Sequence, residues 1–399
     1  MSERRAVAEL ETPVPIIDLD RVERNLSRMQ AYADRHGLAL RPHIKTHKLP
    51  RFAQQQVALG AVGITCQKLG EAEVMADAGL DDILISYPLI GADKARRLAA
   101  LAKRVTMGAA IDNPLALETV ALAGQEAGRP IRVLVEFDSG MKRTGVTSVE
   151  EALTLIAQAK AADGLRFDGL MTYPSSAGTA SFVQAVKAAG VTLPVVSGGG
   201  TPRAAHEHEI EGVTEMRVGT YIYNDRTLVE LGAAGLEDCA LHVHATVVSR
   251  PTENRAILDC GSKTLSSDLV PRGASAGYGL LIDYPDAVIE RLSEEHGMVD
   301  LSASGSKPAL GERVRILPNH VCVVTNLHDQ VVVSRDGLVE GNRRQAKLTE
   351  HWPPHFPVSP DCPSISALDP AEAAGTPPRH RGWGSGPDRP GPGRSGSAP

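Results

Sequence analysis

Between residues 38 and 222 the chain repeats one alternation eight times, and this repeat limits the possible folds more than any other feature. Apolar strand candidates at 38–44, 61–66, 82–87, 104–111, 131–137, 166–172, 193–197 and 215–222 are each separated from the next by a helix-compatible segment. Strands that alternate with helices pair in parallel through right-handed crossovers. Eight such units closing on themselves give an α/β fold of the (β/α)8 barrel type. An open doubly wound sheet is the other arrangement this pattern permits. Ahead of the repeat, Pro15 to Asp20 reads as a strand, and Val22, Leu26, Met29 and Ala33 mark one face of an amphipathic helix.

From about Cys239 the texture changes to β-rich runs at 242–249, 255–259, 313–317 and 330–333, which predicts a second, β-dominated domain. The expected organisation is an N-terminal strand segment over 1–20, a barrel over 21–232, a β-rich domain over 233–343 and a tail over 344–399. The tail carries 12 of the chain's 27 prolines with no periodicity and is expected to be disordered. With 399 residues and 42% hydrophobic content, the rest can bury a large core. A net charge of -6 from interspersed residues offers no basic face to nucleic acid or anionic lipid. No apolar run approaches the roughly 20 residues of a membrane span. Five scattered cysteines, and an N-terminus that leads into no apolar run, fit a reducing cytoplasm.

Barrels of this kind carry their reactive groups where strands end, at the C-terminal face. Lys45 follows the first barrel strand in the segment Arg41-Pro42-His43-Ile44-Lys45-Thr46-His47-Lys48. A lysine forms a Schiff base only as the free amine, and desolvation or the charges of Arg41, His43, His47 and Lys48 would lower its pKa. A solvated basic loop would look the same in isolation. A phosphate site is often built after strands seven and eight, and there the chain has Ser197-Gly198-Gly199-Gly200-Thr201 and Gly219-Thr220-Tyr221. No glycine turn of the dinucleotide-binding kind follows an early strand. Gln67, Asp138, Arg143 and Tyr173 sit at other strand ends, where Arg143 could meet the phenolic side of a cofactor ring. Tyr173 or Gln67 could tune the ring or hold a substrate carboxylate.

In the β-rich part, Pro318-Asn319-His320-Val321-Cys322 places an imidazole and a thiol at i and i+2, which on a strand would point the same way. Imidazole plus thiolate suits a borderline metal such as zinc, with the remaining positions left to water or substrate. His328 and Asp329, just downstream, could support them or form a turn.

These segments resemble the D-threonine aldolase and D-serine dehydratase family, fold type III pyridoxal 5'-phosphate (PLP) enzymes related to alanine racemase. The similarity runs through RPHIKTHK at 41–48, GITCQK at 63–68, LVEFDSGMKRTGV at 134–146, VSGGGTP at 196–202, RVGTYIYND at 217–225, SEEHG at 293–297 and PNHVCVVTNLHD at 318–329. The resemblance implies an alanine racemase-like barrel with a C-terminal β-rich domain, into which residues 1–20 return. It implies PLP on Lys45, its phosphate among Ser197, Gly199, Gly200, Thr201, Thr220 and Tyr221, and a divalent ion, Mn or Zn, on His320 and Cys322. It also implies a homodimer acting on a small β-hydroxy-D-amino acid.

The implied reaction is retro-aldol cleavage of D-threonine to glycine and acetaldehyde, with His43, His47 or water on the metal as base. The alternative is β-elimination from D-serine or 3-hydroxy-D-aspartate; a non-catalytic PLP carrier and a D-amino acid racemase are further readings. Many D-threonine aldolases resemble one another in a His-x-Asp pair, whereas His-x-Cys resembles the dehydratases. The similarity fades after Gly337-Leu338-Val339-Glu340, and the proline- and arginine-rich text beyond looks like an altered reading frame.

Overall fold

The computed structural model describes residues 5–270 and 277–344, so the tail expected to be disordered lies, beyond Arg344, outside the described residues. After β1 (Val14–Asp18) come eight strands that share one parallel sheet: β2 (Ala39–Leu40), β3 (Ile64–Cys66), β4 (Asp82–Ile85), β5 (Thr106–Ile111), β6 (Ile131–Glu136), β7 (Leu165–Met171), β8 (Val195–Gly198) and β9 (Glu215–Met216). Their order is β2-β9-β8-β7-β6-β5-β4-β3. The ring closes where His43 bridges to Thr65, with Thr65 N–H donating to Pro42 O at 2.8 Å. All eight strands expected from the alternation are present.

Helix α1 (Leu19–His36) enters the barrel. Asp18 caps it by accepting from Arg21 N–H, and Gly37, at φ +65°, ends it in the left-handed conformation that glycine adopts without cost. Helices α2 (Pro50–Leu59), α3 (Leu69–Asp77), α4 (Ala92–Ala102), α5 (Pro114–Ala127), α6 (Val149–Ala161) and α7 (Ala177–Ala188) make the crossovers from β2 to β8, and a 3-10 run, Thr201–Glu209, makes the last. The main core lies between strands and helices, where Ile83, Ile85, Ile111, Val133 and Val135 meet Leu98, Val120, Leu155 and Ile156.

Inside the barrel, alternate residues climb in layers, because side chains two apart share a face. Asp82 and Arg132 lie in a floor of ion pairs, Leu84 and Leu134 join Ala110 and Met171 in an apolar layer, and Ser86 and Glu136 reach a cavity above it. The cavity is therefore at the C-terminal end of the strands.

Beyond the short α8 (Arg226–Glu230), the chain forms β10 (Leu241–Thr252), β11 (Arg255–Leu258), α9 (Ser262–Leu265), β12 (Leu280–Leu281), β13 (Val288–Leu292), β14 (Gly297–Asp300), β15 (Arg313–Leu317), α10 (Val321–Leu327), β16 (Gln330–Arg335) and β17 (Leu338–Arg344). The nine-stranded sheet runs β11-β14-β13-β12-β15-β10-β1-β16-β17, and an added β10–β11 pairing curls it into an antiparallel barrel. Strand β1 pairs antiparallel with β10 and parallel with β16. One expectation fails here. His320 and Cys322 are not on a strand: β15 ends at Leu317, His320 caps α10 and Cys322 lies in its first turn.

Candidate active site

Lys45 sits in a single 3-10 turn, Ile44–Thr46, directly after the first barrel strand. His43 caps that turn: its Nδ1 accepts Lys45 N–H at 3.3 Å, so the ring proton is on Nε2. Nε2 lies 3.1 Å from both Gln67 Oε1 and Ser86 Oγ. Burial, with the charges of Lys45 and Arg217 beside it, pushes the ring pKa well below its ordinary value, so this imidazole is neutral. With both nitrogens engaged it is a poor base. Burial likewise lowers the Lys45 amine; Arg143 and Arg217 reinforce that shift, while Cys322 and Glu71 oppose it. The amine is thereby moved toward its reactive free form.

Lys45 opens into a cavity of about 120 Å³. Of the residues singled out from the sequence, His43, Gln67, Arg143, Tyr173, Gly200, Thr201, Thr220 and His320 line it as well. Arg143 lies over the Tyr173 ring, 5.1 Å from its centre. Two 3-10 turns begin at Thr201 and Thr220; with Pro202 lacking an N–H and Arg203 N–H bonded to Gly200 O, the first presents the amide of Thr201 alone, and the second is led by Thr220 and Tyr221. A Cβ on Gly200 would stand 2.9 Å from the Tyr173 ring, and one on Gly219 would stand 2.9 Å from His43 O. Glycine keeps both loops close to the cavity.

His47, Asp138, Ser197, Gly199, Tyr221 and Cys322, also expected at the site, do not line it. His47 is fully buried: Nδ1 accepts Leu49 N–H at 3.0 Å, the ring packs edge-on against Phe52, and burial lowers its pKa to about 4. It does not reach the site as a base. Ser197 lies below, bonded to Glu215 and Arg217, and Tyr221 turns its hydroxyl to Gln56 at 2.9 Å. Gly199 has its N–H committed to Ser175 Oγ at 2.8 Å.

His320 reaches the cavity from α10. Asp225 Oδ2 lies 3.0 Å from its Nδ1 and so receives that proton, which leaves Nε2, the nitrogen on the Cys322 side, as the one a metal ion would take in place of a proton. Burial would lower the His320 pKa, but Asp225 and the Cys322 thiol together raise it to about 10. Cys322 is the converse case. Burial would raise its thiol, yet His320, Thr46 and Thr220 bring it below its ordinary value. Its Sγ is 3.1 Å from Thr46 Oγ1, one residue from Lys45. Among the described residues no group of three His, Cys, Asp or Glu converges as a metal site. An imidazole and a thiol that otherwise share a proton nonetheless fit a borderline divalent ion with positions left for small oxygen ligands. The carboxylate behind His320 is Asp225 rather than Asp329, and His328 turns to Thr264 O.

Sequence reasoning missed Ser86, Glu136, Arg217 and Asp225, all of which line the cavity. Strand parity could have found the first two, since they stand two residues beyond the buried Leu84 and Leu134. Glu136 is held above its ordinary pKa by burial, opposed by a bond from Thr144 and the charges of Arg217 and Arg143.

A partly desolvated lysine at the end of the first strand of an eight-stranded barrel, sharing a cavity with two glycine-led turns, fits a PLP enzyme of the alanine racemase-like type. The comparisons narrow this class. Residues 17–227 match the family described as alanine racemase, N-terminal domain, and residues 240–334 match a putative serine dehydratase domain. Over 357 residues the chain is 36% identical to a D-threonine aldolase from Arthrobacter sp., covering 84% of this chain and 92% of that one. It is 35% identical over 350 residues to a D-threo-3-hydroxyaspartate dehydratase from Delftia sp. (strain HT23), covering 78% and 91%. The crystal structure of a D-threonine aldolase from Filomicrobium marinum superposes with a TM-score of 0.77 at 34% identity, covering 86% and 98%. The chain belongs to this family, the D-threonine aldolase and D-serine dehydratase group, and is a PLP-dependent lyase.

Proposed function

We propose that the chain cleaves D-threonine and other β-hydroxy-D-amino acids to glycine and an aldehyde, with PLP on Lys45 and a divalent ion, Mn or Zn, on His320 and Cys322. One observation carries this reading: Lys45 and His320 line one cavity, with Cys322 behind them at 3.1 Å from Thr46 Oγ1, so two chemistries could meet on one small substrate. PLP, when bound, supplies the electron sink that takes the charge left as a bond to Cα breaks. The ion would supply a Lewis acid for the β-hydroxyl.

The protein's own groups do the rest. Burial moves Lys45 toward the free amine that reacts with an aldehyde. Gly200, Thr201, Gly219 and Thr220, which line the cavity, would hold the phosphate, and Arg143, in the same lining, would meet the ring's phenolic oxygen. Asp225 holds the His320 proton on Nδ1, so Nε2 is the nitrogen that would give up its proton and meet the ion as a lone pair. Gln67 and Ser86, tied to His43, and Tyr173 remain for the substrate carboxylate. The same reading has the enzyme act as a cytoplasmic homodimer, with 21–232 and 233–343 as its two domains.

β-Elimination from D-serine or 3-hydroxy-D-aspartate is the second reading. The observation that favours it is Cys322, 3.1 Å from Thr46, the residue next to Lys45: Lys45 could take the α-proton while an ion on His320 and Cys322 would help the β-hydroxide leave. A product assay separates the two. Acetaldehyde and glycine from D-threonine are expected, with turnover falling roughly 100-fold or more under chelator and returning with Mn or Zn. Pyruvate and ammonia from D-serine, with D-threonine untouched, would establish elimination instead.

A further inference from the structure

A chain of buried hydrogen bonds runs up the inside of the barrel, and the chemistry above makes no use of it. Asp82 accepts from both Arg41 and Arg132. Arg41 Nε donates to Glu215 Oε2 at 2.8 Å, and Glu215 Oε1 receives the Ser197 hydroxyl at 2.6 Å. Ser197 Oγ accepts Arg217 Nε–H at 2.8 Å, and Arg217 Nη2 donates to Thr172 O at 2.6 Å. Arg217 then lines the cavity that holds Lys45. Arg41, Glu215, Ser197 and Arg217 are exposed by only 6, 4, 0 and 5%.

Barrel interiors are ordinarily filled with branched apolar side chains, so a run of charges here requires a cause. Stability is a poor one, because buried ion pairs add little over well-packed apolar replacements. Direction is what this arrangement does supply. A hydroxyl has one proton, and a carboxylate paired with Arg41 only accepts, so Ser197 gives its proton to Glu215. The Ser197 oxygen then faces Arg217 as an acceptor alone. The guanidinium is held at Nε by that oxygen and at Nη2 by a backbone carbonyl, both on rigid strand ends. Gly63 protects the lower end of the chain: at φ +146° a Cβ there would lie 2.4 Å from Arg41 Nη1.

We propose that Glu215 and Ser197 are positioning residues which act through Arg217 on the cofactor carried by Lys45, fixing one permanent positive charge at the edge of the cavity. The inference rests on Lys45 being the cofactor lysine. A fixed positive charge disfavours protonation of the nitrogen that joins Lys45 to the cofactor, and loosening Arg217 relaxes that effect.

The test is a pH titration of the visible absorbance of the PLP-loaded protein, with PLP release and thermal unfolding measured alongside. Ser197→Ala is expected to raise the midpoint by about one pH unit and to speed PLP release roughly tenfold; Glu215→Gln, which also removes a negative charge, should speed release similarly and raise the midpoint by less. Because both act through one bond, the double variant should move the midpoint no further than Ser197→Ala alone. An unchanged midpoint in folded Ser197→Ala overturns the proposal. So does an additive shift in the double variant, which would show Glu215 acting without Ser197. Should Glu215→Gln fail to fold, Ser197→Ala alone decides. A Lys45→Ala protein that keeps the absorbance would sink the assignment of the cofactor lysine instead, and the relay would not enter into that result.

Discussion

Lys45 becomes reactive for reasons that are only partly local. Its sequence neighbours Arg41, His43, His47 and Lys48 look like the cations that lower its pKa, but three of them act elsewhere. Arg41 lies in the barrel floor with Glu215 and Asp82, His47 is neutral in the core, and Lys48 pairs with Glu71. Burial does most of the work, helped by Arg143 and Arg217 from strand ends far along the chain. Borohydride reduction of the PLP-loaded protein, followed by mass analysis, should place the label on Lys45 and leave Lys45→Ala unlabelled; label in the variant would refute the assignment. Asp225 is legible in a similarly indirect way. Its carboxylate caps α8 through Leu228 N–H at 3.0 Å and also meets His320 Nδ1, so one residue orders two elements and one imidazole. Asp225→Asn should weaken metal binding about 10- to 100-fold by releasing that imidazole, as read from a titration with Zn; unchanged affinity would remove Asp225 from the site.

Helix α10 shows how a correct pair of residues can be read on the wrong element. A His-x-Cys pair on a strand would share a face, and on a regular helix it would not. The chain solves this at the helix boundary, where His320 has the extended backbone of a cap, φ -142° and ψ 110°, and its side chain therefore leaves the helical spiral to meet Cys322. Only the turn after β15 decides this, and apolar periodicity does not report it. The same helix is tied to the lysine turn at three points: Thr46 Oγ1 to Cys322 Sγ, Thr325 Oγ1 to Thr46 O at 2.7 Å, and Lys48 Nζ to Asn326 Oδ1. The element that brings the metal pair therefore also braces the cofactor lysine. Thr325→Val keeps the shape and removes the hydroxyl, leaving the Thr46 carbonyl without its donor. A loss of about 1–3 kcal/mol in urea unfolding and faster PLP release are expected; a variant with wild-type stability and PLP retention would show that the brace carries nothing.

At the scale of the whole molecule, the eight strands were legible because their apolar runs recur at a spacing that only a repeated strand-and-helix unit explains. Their lengths were not. The runs at 38–44 and 215–222 yield two-residue strands, since the remaining apolar residues are buried in the turns that carry Lys45 and Thr220. Burial also leaves a charge signature that sequence cannot show. His43 and His47 in the barrel, and His242 and His244 on β10, are all pushed below the ordinary histidine pKa of about 6.5, His47 and His244 to about 4 and His242 to about 3, chiefly by burial. In the unfolded chain these rings take up protons near pH 6.5, whereas in the folded protein His43 resists doing so and His47, His242 and His244 resist until about pH 4 or below. Between those limits the unfolded state binds more protons. Stability therefore falls as pH falls, by up to about 1.4 kcal/mol per pH unit for each histidine, and the loss is complete once the folded rings protonate. Glu136 and Glu207, raised by burial, oppose the trend, because they bind protons earlier in the folded state. Four imidazoles against two carboxyls leave a net loss. Urea midpoints measured from pH 7.5 to 4.5 should drop steeply below pH 6.5, and His242→Gln with His244→Gln should flatten the slope; midpoints constant down to pH 5 would mean that these rings are already protonated in the folded protein.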